Sequence, residues 1–182
     1  MAQPLSIDQR KFDWFYVVVL CIFSLFSFFG DSTPATGGPD PHSGWIMKRL
    51  IHDIYAMNKD PLVLYSPVFV RVACFFAAFI FGPFQLVAAW AIWKGKHWIR
   101  TPMLVYAGAL FEGSFIFEWA EWFGDKAFFE RVCGAGSTFD FAQQNALWVQ
   151  SFNLPYIIVP LMLIVRFWPE RPFEPKNKAL AN

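Results

Sequence analysis

Four apolar runs constrain this chain most. They cover residues 14–30, 68–93, 101–123 and 147–168. Each is close to the ~20 residues that cross ~30 Å of hydrocarbon as a helix. In lipid the backbone must satisfy its own hydrogen bonds, which only helices and closed barrels do. The expected fold class is therefore all-α: an integral membrane bundle of four transmembrane helices, with a polar tail over 169–182. Composition points the same way. Hydrophobic residues make up 56% and aromatics 20% of the chain, more apolar surface than a soluble chain of 182 residues can hide. The net charge of +1 leaves no nucleic-acid footprint. The first run is read as a retained span, because Asp31-Ser32-Thr33-Pro34 follows it in place of a small-x-small cleavage site.

Acids and prolines stand inside these runs. Glu112 lies deep in the third, and an ionisable residue at membrane depth normally faces an interior or a wet cavity. Glu118 and Glu121 are neighbours on one helical face near its end. They read either as an interfacial acidic patch or as a proton-handling pair. Pro83, Pro155 and Pro160 interrupt the second and fourth runs. Gln85 and Asn153 stand beside them, able to satisfy a freed backbone group or a ligand. Kinked helices do not pack along their full length, so an internal cavity is expected near Pro83, Asn153 and Pro155, closed by aromatics.

Four spans place both termini on one side. Arg10, Lys11, Lys94, Lys96, Arg100, Arg166, Arg171, Lys176 and Lys178 fall there, and fewer cations fall opposite. The positive-inside rule puts that side in the cytosol or its organellar equivalent. The opposite side carries a long loop, 31–67. Ile46, Leu50, Ile54 and Met57 recur in it at helical spacing, so a loop helix over 43–58 is expected in the interface or capping the bundle. His42, His52 and Asp53 read as solvated loop residues rather than metal ligands, and no metal or cofactor is expected. Cys21, Cys74 and Cys133 are odd in number, lack CxxC spacing and read as small buried hydrophobes.

Three segments then carry a resemblance. They are Lys59-Asp60-Pro61-Leu62, the stretch Lys94-Gly95-Lys96-His97-Trp98-Ile99-Arg100-Thr101-Pro102, and Asn153-Leu154-Pro155-Tyr156-Ile157-Ile158-Val159-Pro160. In order and spacing they resemble the EXPERA family, closest to the sigma-2 receptor branch and more distantly to the emopamil-binding sterol isomerase. The resemblance implies a four-helix membrane bundle whose cavity binds sterols or cationic amphiphiles. It also implies that the acid closing the first span and the acid of the Lys-Asp-Pro segment serve a ligand amine. These fall on Asp31 and Asp60, which are expected to approach one cavity. A further acid of that branch falls on Ala77 here, and the isomerase's catalytic residues find no match. The candidate ligand-binding residues are Asp31, Asp60, Gln85, Glu112, Asn153 and Tyr156. No catalytic residue is assigned, unless the protein is an enzyme, in which case Glu112 is the candidate.

Three functions follow as expectations. The first is a non-catalytic binder of a sterol or amphipathic amine. The second is a sterol double-bond isomerase, against which Ala77 argues. The third is an accessory structural subunit of a large organellar membrane complex. Expected partners are the ligand, membrane lipids, and a homodimer or larger membrane assembly, with no nucleic acid. The endoplasmic reticulum is the favoured location and a mitochondrial or other organellar membrane the alternative; the C-terminus lacks the lysine-rich ending that would retain it in the reticulum.

Overall fold

The computed structural model describes residues 4–134 and 140–174, without the side chains of Val132 and Cys133. Lys176 and Lys178 of the tail therefore lie outside the described residues. Among those described, the regular structure is helical and no strand is present. Helix α1 covers Asp13–Ala35 and includes a π turn at Ser27–Asp31. The first loop holds α2 (Ile46–Leu50), which widens into a π turn over Ile51–Ala56, and then α3 (Pro61–Tyr65). Helix α4 runs Val68–Trp93 with a second π turn at Ala77–Phe81. It is followed by α5 (Arg100–Phe123), α6 (Lys126–Cys133) and α7 (Ala146–Phe167).

The boundaries have local causes. Asp60 caps α3 by accepting the Val63 amide at 3.0 Å, and Pro61 fills the first helical position, where a missing N–H costs nothing. Asn145 caps α7 through the Trp148 amide at 3.1 Å. Helix α4 stops at Trp93, and just beyond it Gly95, with a φ of 63°, lets the Gly95 and Lys96 amides turn back onto the carbonyls of Ile92 and Ala91. A side chain at Gly95 would also press on Pro4 and Arg10.

Helices α1, α4 and α7 are long and apolar enough to cross a membrane, and 33%, 33% and 22% of their most apolar windows are buried within the protein. The remaining apolar surface needs a lipid covering. Helix α5 has 24 residues but carries Glu112, Glu118 and Glu121.

The helices pack as two antiparallel pairs. Helix α1 lies along α4, and α5 lies along α7. On the side of the termini the pairs meet in one apolar core, including Leu20, Ile92, Met103, Leu110, Leu163 and Phe167. A buried ion network closes that end. Asp13 is 2% exposed and accepts two bonds from Arg166, at 2.7 and 2.8 Å, and another from Nη1 of Arg10. Arg10 also donates to the carbonyls of Leu5 and Ile92, and Arg166 to that of Pro172. The fully buried Phe173 ring lies 4.6 Å from the Arg10 guanidinium and 5.5 Å from that of Arg166. The start of the polar tail is thus docked against the bundle rather than extended into solvent.

Candidate functional site

On the loop side the two pairs separate around a cavity of about 700 Å³. Its wall is mostly aromatic and aliphatic, with Phe23, Phe26, Phe81, Leu110, Phe117, Phe152 and Val159 among the lining residues. Polar groups enter it at Ser27, Asp31, Tyr55, Ser114, Asn153 and Tyr156. The Tyr156 ring stacks on Phe23 at 4.1 Å. Both π turns, Ser27–Asp31 and Ala77–Phe81, touch each other and contribute to this wall. Such local widenings re-aim side chains and recur at functional sites.

The candidate residues separate in the structure. Asp31, Asn153 and Tyr156 line the cavity. Asp31 closes the π turn of α1, and no lysine, arginine or histidine pairs with it among the described residues. Asp60 is fully buried but is not in the wall; its neighbours Tyr55 and Val63 are. Asp31 and Asp60 both lie within electrostatic reach of the Cys74 thiol, itself a lining group. Asp60 Oδ1 holds the Val63 amide, whereas Oδ2 is buried without a hydrogen-bond partner. Burial therefore raises the Asp60 carboxyl above the ordinary carboxylate range, against the opposing pull of the Val63 amide, the nearby Tyr55 hydroxyl and the Leu62 amide. Burial also pushes the Tyr55 phenol well above its ordinary value, with Asp60 and Glu121 adding to the effect.

Two candidates lie away from the cavity. Gln85 is buried in the packed core, where Nε2 donates to the Tyr106 hydroxyl at 2.8 Å. Glu112 is exposed on the outer face of α5 and is not in the cavity wall. Pro83 is likewise exposed and outside the wall, which Phe81 reaches instead. The reason is helical phase. Met103, Ala107, Leu110, Ser114, Phe117 and Glu121 recur at alternating spacings of four and three, forming the inward stripe of α5. Glu112 falls off that stripe.

Glu121 falls on it. This acid, grouped with Glu118 as a candidate interfacial patch, is fully buried. Its Oε1 accepts from Asn153 Nδ2 at 2.6 Å, and Oε2 accepts weakly from Gln150 Nε2 at 3.5 Å. The periodicity of α5 is the signal that distinguishes it from Glu112. In the loop, His52 Nδ1 meets Asp53 Oδ1 at 2.7 Å, and no group of ligating side chains among the described residues is arranged to hold a metal.

The arrangement defines a helical membrane protein with a half-open, ligand-sized apolar cavity and carboxyl groups in and behind its wall. Residues 46–167 match the family model described as EXPERA, the expanded EBP superfamily. The chain belongs to this family, which includes sterol-binding and sterol-isomerising members. No curated protein and no solved structure matches the chain.

Proposed function

We propose that the protein binds a sterol or a cationic amphiphile in this cavity without transforming it. The observation that carries the reading is an aromatic cavity with one carboxyl group, Asp31, in its wall and no protein cation to pair with it among the described residues. About 700 Å³ is within the ~300–1,000 Å³ of small-molecule sites. A carboxylate facing a low-dielectric space attracts an ammonium strongly, and ring faces such as Phe23 and Tyr156 add cation–π attraction. Helix α5 serves as the third of four spans, being ~36 Å long at 1.5 Å per residue, and both termini then face the cytosol or its organellar equivalent.

Isomerisation is disfavoured on chemical grounds. Relocating a double bond needs one group to give a proton and another to take one, both within ~3 Å of the reacting atoms. Ala77 does neither, Glu112 is on the outer face, and Asp60 and Glu121 stand behind the wall. The test uses the purified chain in micelles, titrated with a lipophilic tertiary amine and with a sterol. Asp31→Asn is expected to weaken the amine at least about tenfold, the order for losing one charged partner, and to change sterol affinity little. Absence of saturable binding for both ligands would sink the reading. Expression in cells lacking their own sterol isomerase is expected to restore no conversion, and restored conversion would overturn the non-catalytic part.

A further inference from the structure

We propose that Glu121 is a positioning residue: it turns the Asn153 side chain so that the cavity wall there presents a hydrogen-bond acceptor, selecting ligands whose polar head is a donor, a hydroxyl or an ammonium. The proposal rests on the binding function above and adds which head group the site favours.

An asparagine side chain has two unlike ends, the acceptor Oδ1 and the donor Nδ2, and its partner decides which end faces a ligand. Asn153 lines the cavity. Behind it, Glu121 accepts from Nδ2 at 2.6 Å, which commits the donor end to the protein. Oδ1 is left toward Tyr55, whose hydroxyl approaches at 3.4 Å. That contact is long and weak, so a ligand donor reaches Oδ1 without breaking a strong bond. Glu121 is itself held in place. Its Oε2 meets Gln150 Nε2 at 3.5 Å, the same Nε2 donates to Gln143 Oε1 at 3.3 Å, and the Glu121 carbonyl accepts the Gln143 amide at 2.8 Å.

The choice of an acid here has a chemical consequence. No lysine, arginine or histidine pairs with Glu121 among the described residues, and an unpaired buried acid lowers stability relative to a neutral amide of similar shape. A glutamine would pack equally well but could pair with Asn153 in either orientation. While ionised, the Glu121 carboxylate only accepts and so excludes the flipped amide; protonated, it carries one O–H donor and loses that exclusion. Ionised Glu121 thus fixes the orientation of Asn153 where a glutamine does not.

The experiment compares two sterols of one skeleton, a 3-hydroxy form and its 3-keto form, in competition binding to the purified full chain in micelles, with a lipophilic tertiary amine as third probe. Wild type is expected to prefer the hydroxysterol about tenfold, the order set by leaving one buried polar group unmatched. At a pH where Glu121 is ionised, Glu121→Gln is expected to bring that ratio near one or reverse it. The double variant Glu121→Gln with Asn153→Asp is expected to restore it, because the introduced glutamine amide then donates to one oxygen of the introduced carboxylate and leaves the other facing the cavity. Asn153→Ala must abolish the preference and stands in if Glu121→Gln alone does not fold. A changed sterol ratio assigns the hydroxyl as the donor, and a roughly tenfold loss of amine affinity in Glu121→Gln assigns the ammonium; either supports the proposal. Equal loss of all three probes with the ratio unchanged would mean a merely structural role and overturn it. Equal binding of both sterols by wild type, with amine affinity untouched by Glu121→Gln, overturns the positioning role alone. No binding of any probe by wild type overturns the binding function and this inference together.

Discussion

Asp13 and Asp60 are both aspartates buried in the same small bundle, one at each end. Asp13 receives two arginines, and the polar groups of that network face partners within the protein. Asp60 receives neutral groups only, the Val63 amide on Oδ1 with the Leu62 amide and Tyr55 hydroxyl nearby, and a second buried acid, Glu121, lies within electrostatic reach. The first end is built as a closed joint: it ties α1, α4, α7 and the docked tail through Arg10 and Arg166. The second is left short of positive charge beside an open cavity. A buried acid without a cation is destabilising by itself, so the contrast separates stability from binding. The packed end supplies the former and gives the cavity end room for the latter.

The same chemical change at the two ends should therefore act in different ways. Asp13→Asn is expected to have the largest effect, a loss of ~3–5 kcal/mol, because it leaves two largely buried guanidinium groups without their anion. Equilibrium unfolding in micelles followed by tryptophan fluorescence measures it, and a loss under ~1 kcal/mol, the ceiling for exposed pairs, would break the comparison. Asp60→Asn is expected to keep the α3 cap, since asparagine caps as well as aspartate, and to remove a pH dependence. The folded protein holds the Asp60 proton more tightly than the unfolded chain does. Stability from this group is thus fully present below the ordinary carboxylate value of about 4 and falls as pH rises through the raised folded value. Unfolding curves across that range should slope downward with pH in wild type and less so in Asp60→Asn. An unchanged slope would mean that the folded protein holds the Asp60 proton no more tightly than the unfolded chain does. The smallest effect is expected for Glu112→Gln, a change in melting temperature under about 2 °C, since surface substitutions away from special features change stability little. A large change there would show that the outer face of α5 has a polar partner in the membrane.

Much of the cavity end is legible one residue at a time. The Lys59-Asp60-Pro61 segment announces a helix cap, and the acid after the first apolar run announces a carboxyl near the membrane edge. The inward stripe of α5 is also present in the sequence, as a period of about 3.6 residues. Ranking the three glutamates by depth favours Glu112, but depth says nothing about which side of a helix faces in. The stripe does, and it favours Glu121. The Asp13 network has no local signature. Arg166 stands 153 positions from Asp13, and no local pattern joins them.

What the chain's sequence determined is short-range. Long apolar runs form helices in lipid because the backbone has no other donor or acceptor there, and the family match falls on residues 46–167. Tertiary structure decided which helices pair, where the pairs part, and which acids find arginines. Those outcomes depend on the rotation of each helix about its axis and on contacts between residues far apart in the chain. They are set when side chains compete for the same buried volume, after local preferences have already been satisfied.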